Sequence, residues 1–311
     1  MSAHATAPVR GPRQVGGPRR PGRPRRPLFG NRPTRSPLLR ALVKHSVMII
    51  TLTLMLYPLL WMFGASLRPD NQVFTTLGLW GSDLTLDNYA AGWSGGDQLN
   101  FSRFFLNSLT ITVLSIVGNL LACALTAYAF ARLEFRFKKT LFALVIGTLL
   151  LPYHVTLVPQ YILFNQLGWV NTILPLVVPK FLATDAFFIF LMVQFIRALP
   201  SSLDDAARID GCGHWGIFWR VVMPLSIPAL GTSALFTFIN TWNDFLGPML
   251  YLTEPDSWTV SQGLASFLDA TGQSAYGSLF AMSTLSLVPV LGFFVAAQKL
   301  LVEGIATSGL K

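Results

Sequence analysis

Residues 204–220 read DDAARIDGCGHWGIFWR, and inside them GCGHWG (211–216) matches the G-x-G-x-x-G dinucleotide-binding fingerprint letter for letter. That fingerprint needs a strand before it, a helix after it and an acid about twenty residues further on for the ribose. The residues ahead of it, PSSLDDAARID from Pro200, read as helix instead. Ser201 and Ser202 each stand three residues before an aspartate, close to the capping-box pattern. Ala, Leu and Arg then favour helix, and Gly211 suits the left-handed residue that closes one. No acid occurs between Asp210 and Asp244. The stretch is therefore a short helix of about two turns, a glycine turn, and a second amphipathic piece, HWGIFWRVV, ahead of Pro224. Leu203, Ala206, Ala207 and Asp210 fall on one face of the helix. A helix this short does not persist alone in water, so it is packed on its own bundle or in a partner's groove. Gly213 and Gly216 carry no role in this reading.

Composition decides the solvent. Of 311 residues, 52% are hydrophobic and 12% charged, about half the charged fraction usual for soluble domains. That much apolar surface calls for lipid. Cys123 and Cys212 are too few and too far apart for a disulfide framework or a structural zinc site, and Cys123, in an apolar run, reads as a small hydrophobe. His4, His45, His154 and His214 form no metal-binding spacing. Walker A spacing and a G-x-S-x-G elbow are both absent, so the chain carries no evident ATPase or hydrolase site.

Residues 1–40 are rich in Arg, Pro and Gly, and are expected to form a disordered basic cytoplasmic tail. Phe29 is the tail's one stacking aromatic, so anionic lipid fits it better than nucleic acid. Residues 41–311 form the transmembrane domain. Six apolar segments, 43–66, 105–130, 140–160, 175–197, 225–250 and 278–300, are each near the ~20 residues that cross a bilayer. The first is too long for a signal-peptide core, although Gly64-Ala65-Ser66 mimics a cleavage site. With the N-terminus inside, the cytoplasmic regions beyond the tail hold Arg132, Arg136, Lys138, Lys139, Arg197, Arg208, Arg220, Lys299 and Lys311. The outside regions hold Arg68 and Arg103. This asymmetry predicts six spans with both termini cytoplasmic and a cytoplasmic loop over 200–224. The long outside loop carries Asp87-Asn88-Tyr89, where a short interfacial helix starts.

Polar residues inside the spans face the bundle interior. Asp185 lies ~18 Å along a helix from Arg197, near the midplane, and Lys180 ~25 Å along, near the outer interface, where a lysine snorkels. Asp185 suits hydrogen bonds to sugar hydroxyls; an interhelical hydrogen bond is the alternative. Asn240, Trp242, Asn243 and Asp244 offer amides, an indole and a carboxylate to a sugar, the alternative being an interfacial aromatic with polar helix-end residues. His154 with Tyr153 is the one pairing that an intramembrane enzyme would use, and the flanking Pro152 and Pro159 read better as a helix break.

The run DAARIDGC from Asp205, followed after eight residues by VVMP ending at Pro224, resembles the EAA loop of ABC importer permeases. Asp205 stands for Glu, Cys212 for Ala, Val221 for Ile and Met223 for Leu, with the spacing intact. LVPQYILFNQLGWVNT (157–172), FFIFLMVQF (187–195), WNDFLGP (242–248) and LLVEGIATSGLK (300–311) resemble the carbohydrate-uptake branch, and within it the maltose-type second permease subunit. The resemblance implies an all-α, six-helix type I importer transmembrane domain in a bacterial inner membrane. It implies a second permease subunit, two ATPase subunits holding ATP and Mg, and an extracytoplasmic solute-binding protein, with no cofactor on this chain. Asp204, Asp205, Ala206, Ala207, Asp210, Gly211 and Pro224 would contact or shape the ATPase coupling element; Asp185, Asn240, Trp242, Asn243 and Asp244 would line the substrate pathway. A permease for glycerol phosphate or polyamine is the nearer alternative; a phosphate pocket favours a midplane Arg or Lys, and the sequence shows none there.

Overall fold

The computed structural model describes residues 37–75, 78–81, 83–94, 100–268 and 275–308. The expected disordered tail falls outside the described residues as far as residue 36, and its last four residues, 37–40, are helical. The chain divides into two compact units, 1–55 and 56–311. In the first, the described residues form the opening of helix α1 (Pro37–Ser66), and their aliphatic side chains from residue 40 to 55 are exposed all round. An apolar helix with no polar face belongs in lipid.

In the second unit the regular elements among the described residues are all helices. After α1 come α2 (Asp87–Ser94), α3 (Phe101–Arg132), α4 (Lys138–Thr148) and α5 (Tyr153–Gln166). Next are α6 (Leu174–Phe181), α7 (Ala186–Ala198), α8 (Ser202–Ile209) and α9 (His214–Ile217). Last are α10 (Met223–Leu225), α11 (Ile227–Trp242), α12 (Leu246–Tyr251), α13 (Val260–Ala265) and α14 (Tyr276–Ser308). Among the described residues four helical stretches are long and apolar enough to cross a membrane, Leu174–Ala198 being counted across the α6–α7 break, and up to six spans result if each of two bent pairs counts as one. One bend, of 100°, separates α4 from α5, where Pro152 precedes Tyr153. The other, of 74°, separates His214–Leu225 from α11. There a π-helical turn (Phe218–Val222) runs into Pro224, and Pro228 opens α11. Proline lacks the N–H that would continue the ladder, which makes these natural break points.

Two expected spans are interrupted. The segment expected at 175–197 breaks between α6 and α7, with Ala183 in the left-handed region (φ 55°) and the Thr184 hydroxyl donating to the Pro179 carbonyl at 2.9 Å. The segment expected at 225–250 stops at Trp242 and resumes at Leu246. The short helix expected at Asp87 is α2; its buried Asn88 donates to the Ser66 and Arg68 carbonyls at 2.9 and 2.6 Å.

Helix α3 is the packing axis, in contact with α6, α7, α11 and α13. Its buried face carries Ser108, Thr112, Ser115, Asn119 and Cys123 at helical spacing. Lipid supplies no hydrophobic drive between helices, so small residues that permit close approach and interhelical hydrogen bonds hold them together. Asn119 donates to the Thr237 hydroxyl of α11 at 2.7 Å, and the Val260 N–H of α13 donates to Ser108 Oγ at 2.9 Å. A Cβ on Gly118 would meet the Phe181 ring at 2.5 Å, so this close approach to α6 needs glycine.

Candidate functional site

Two places concentrate polar chemistry. The first is α8 and its turn. Gly211 adopts φ +83°, the Gly211 N–H donates to the Arg208 carbonyl at 3.0 Å and the Cys212 N–H to the Ala207 carbonyl at 2.9 Å. These are the two bonds of a Schellman closure, as the glycine signal predicts. No side-chain cap forms at the other end, and the expected capping box is corrected: Ser201 is αR and makes no side-chain cap hydrogen bond. Asp204, one of the aspartates that pattern relied on, is turned into the protein. It is buried and pairs with Arg132 at the end of α3, Nε to Oδ2 at 3.1 Å, while Arg132 Nη2 donates to the Leu199 carbonyl at 2.8 Å.

Asp204 and Ala207 therefore anchor α8 to the bundle and offer nothing outward; the single face expected for Leu203, Ala206, Ala207 and Asp210 is split, with Ala207 alone of the four buried. Asp205, Ala206, Asp210, Gly211 and Pro224 are exposed. Asp205 is held by Arg208 at 3.3 Å. The sequence reading missed the apolar part of this surface: Ile209 is 87% exposed, and Trp215 and Trp219 are exposed beside the turn. An aliphatic side chain left bare at a helix end was the available signal. No strand precedes the glycines among the described residues, so the dinucleotide reading has no structural basis.

The second place is a cavity of about 400 Å³ between α3, α6 and the α11–α12 junction, within the usual range for small-molecule sites, ~300–1,000 Å³. Asp185, Asn240 and Asp244 line it, joined by Lys180, Thr241 and Tyr153. The break at 182–185 puts Asp185 at the start of α7, and Lys180 folds back to it, Nζ to Oδ2 at 2.9 Å. Lys180, expected from the sequence to snorkel, is thus ion-paired and lines the cavity. Asp244 caps the next element locally, its Oδ1 accepting the Gly247 N–H at 3.1 Å.

Two pathway candidates fall elsewhere. Trp242 is 4% exposed; its indole donates to the Ser286 carbonyl at 3.2 Å and its ring stacks on Phe238, so it is a core residue joining α11 to α14. Asn243 is exposed outside the cavity lining and donates to the Ile239 carbonyl at 2.9 Å. Tyr153 faces the cavity, whereas no group of three or more His, Cys, Asp or Glu able to hold a metal occurs among the described residues.

Comparison with known proteins agrees with this architecture. The chain is 34% identical over 258 residues to the arabinooligosaccharides transport system permease protein AraQ of Halalkalibacterium halodurans, covering 82% of this chain and 91% of that one. It is 32% identical over 274 residues to the trehalose/maltose transport system permease protein MalG of Thermococcus litoralis, covering 86% and 98%. A chain in the crystal structure of a bacterial ABC transporter involved in importing the acidic polysaccharide alginate shares the fold, with a TM-score of 0.75 at 23% identity, over 86% of this chain and 98% of that one. Residues 118–306 match the family described as binding-protein-dependent transport system inner membrane component. That match covers more than half of the sequence and takes in α8, the glycine turn and most of the cavity's residues, so the chain belongs to this family of membrane permeases.

Proposed function

We propose that this chain is one permease subunit of an ATP-driven importer for a sugar or oligosaccharide, with six spans and both termini in the cytoplasm of a bacterial inner membrane. A second permease subunit completes the pathway, a binding protein delivers solute from outside, and two ATPase subunits supply ATP hydrolysis with Mg. The basic residues clustered at one end of the helices support the orientation. Relatives named for arabinooligosaccharide and trehalose/maltose transport support the solute class.

The cavity is the observation that carries the reading. Asp185, Asn240 and Asp244 present carboxylate and amide groups inside an apolar bundle, a set suited to sugar hydroxyls. Lys180 is matched by Asp185 and Asp244 in the same cavity, which disfavours a phosphate solute despite the cation. The exposed Asp205, Ala206 and Ile209 surface docks in a cleft of an ATPase subunit. Closure of the ATPase pair moves α8 as a body, and the Arg132–Asp204 pair passes that movement to α3 as well as to the flanking α7 and α11.

The test is uptake in proteoliposomes holding the assembled importer and its binding protein. Labelled oligosaccharide should accumulate with ATP, and Asn240→Ala and Asp244→Ala should each lower the rate at saturating solute. Accumulation of glycerol phosphate or polyamine in place of sugar would overturn the solute class. Unchanged rates in both variants would remove the cavity from the pathway.

A further inference from the structure

We propose that the elbow between α3 and α4 is a binding site for an anionic phospholipid. The elbow opens onto a cavity of about 680 Å³ between α4 and α7, lined by Lys138, Lys139, Arg197, Glu134, Phe137 and Phe142 among others. Its acid and its cations do not balance. Glu134 is taken by Lys138 at 2.9 Å, and Lys138 also donates to the Leu133 carbonyl at 2.7 Å. Arg197 has a backbone acceptor, the Phe130 carbonyl at 3.3 Å, and lies over the Phe142 ring at 5.3 Å. Arg136 lies over the Phe137 ring at 4.9 Å. Among the described residues, Lys139, Arg136 and Arg197 have no acidic partner. Two of these cations, Lys139 and Arg197, line the opening and form a receptor for a phosphate, since guanidinium and ammonium donors are the usual ligands of phosphate oxygens.

The apolar surface beside the opening selects a lipid over a free anion. Leu141 and Leu144 fall at i and i+3 on α4, Phe137 stands at its N-cap, and all three are exposed, Phe137 by 63%. This stripe leads from the cationic mouth along the helix, as an acyl chain would lie below its headgroup. Basic pockets between helices at the membrane boundary are a recurrent setting for anionic headgroups. The site stands apart from the solute cavity and does not depend on the transported solute being a sugar.

The experiment uses the assembled importer in nanodiscs, with phosphatidylglycerol or phosphatidylcholine carrying a photoreactive acyl chain, and maps the crosslinks by peptide mass spectrometry. Phosphatidylglycerol should label the 137–144 segment, and phosphatidylcholine should label it at least several-fold less. Lys139→Gln with Arg197→Gln should cut that labelling about thirtyfold, from the worth of two basic residues at an anionic surface. Lys139→Arg with Arg197→Lys should keep it, which separates loss of charge from loss of fold. Equal labelling by the two lipids, or undiminished labelling of the double glutamine variant, overturns the site. Displacement of the lipid by soluble glycerol phosphate also overturns it, by assigning the pocket to a free phosphate.

Discussion

The Arg132–Asp204 pair makes the coupling proposal testable through one atom. Asp204→Asn keeps the size of the side chain and removes its charge, leaving the Arg132 guanidinium buried without a counter-ion; the two side chains are 11% and 7% exposed. Removing one partner of a buried pair costs about 3–5 kcal/mol. The lower end applies here, because Asp204 Oδ1 has no hydrogen bond in the native pair and Arg132 keeps the Leu199 carbonyl. About 3 kcal/mol corresponds to a shift of roughly a hundredfold toward detachment of α8 from α3. That loss falls on the attachment of one short helix and leaves the α3–α7 and α3–α11 interfaces intact. The assay measures ATP hydrolysis and solute uptake in the same proteoliposomes. Hydrolysis should continue while uptake per ATP falls by at least tenfold. A well-packed apolar pair can replace a buried ion pair with little loss, so Asp204→Leu with Arg132→Met should recover coupling that Asp204→Asn alone loses. If the single variant transports normally, or the apolar pair is as uncoupled as the single variant while inserting in the membrane, α8 does not act through α3.

Three further outcomes follow from the same geometry. At Gly211 a Cβ would meet nothing within 4 Å, so only φ opposes substitution. Gly211→Val should cost about 1–2 kcal/mol of turn stability and sharply reduce uptake, Gly211→Asn should be milder, and Gly211→Asp, which adds a charge to the exposed surface next to Asp210, should abolish uptake with insertion retained; wild-type uptake by all three would remove the turn from coupling. Trp242→Phe keeps the stack on Phe238 and loses the bond to Ser286, so the purified importer should melt a few degrees lower while solute affinity stays unchanged; an affinity change without a melting shift would return Trp242 to the pathway. Lys180→Met leaves Asp185 and Asp244 in the cavity without their cation, so uptake should fall, whereas Lys180→Arg, which keeps the charge, should retain most of it; no loss in the methionine variant would show that the pair is idle.

What the sequence made legible is what depends on local chemistry. Composition and basic-residue placement spoke for a membrane chain, and the Gly211 turn and Pro152 break were read from single residues whose backbone limits leave few choices. Side-chain direction was less readable. Asp204 and Asp205 are neighbours of identical chemistry, and only the position of Arg132, more than seventy residues earlier in the chain, decides which one is buried. The Lys180–Asp185 ion pair went unread for a related reason. Counting 1.5 Å per residue assumes an unbroken helix, and no glycine or proline lies within the break at 182–185, Pro179 being the nearest before it.

That break gives Lys180 and Asp185 their meaning together. On a continuous helix, residues five apart lie about 140° apart around the axis, so neither side chain would reach the other without leaving the cavity. Unwinding at Ala183 lets the lysine turn back, and the carboxylate then offsets a charge that costs heavily inside a membrane. Irregular backbone at membrane depth is tolerated where it lines a cavity or is buried in protein, and the α6–α7 junction does line one. The same departure from regular helix that hid these residues from sequence reasoning therefore places a polar cluster inside an apolar bundle, where a hydrophilic solute needs it.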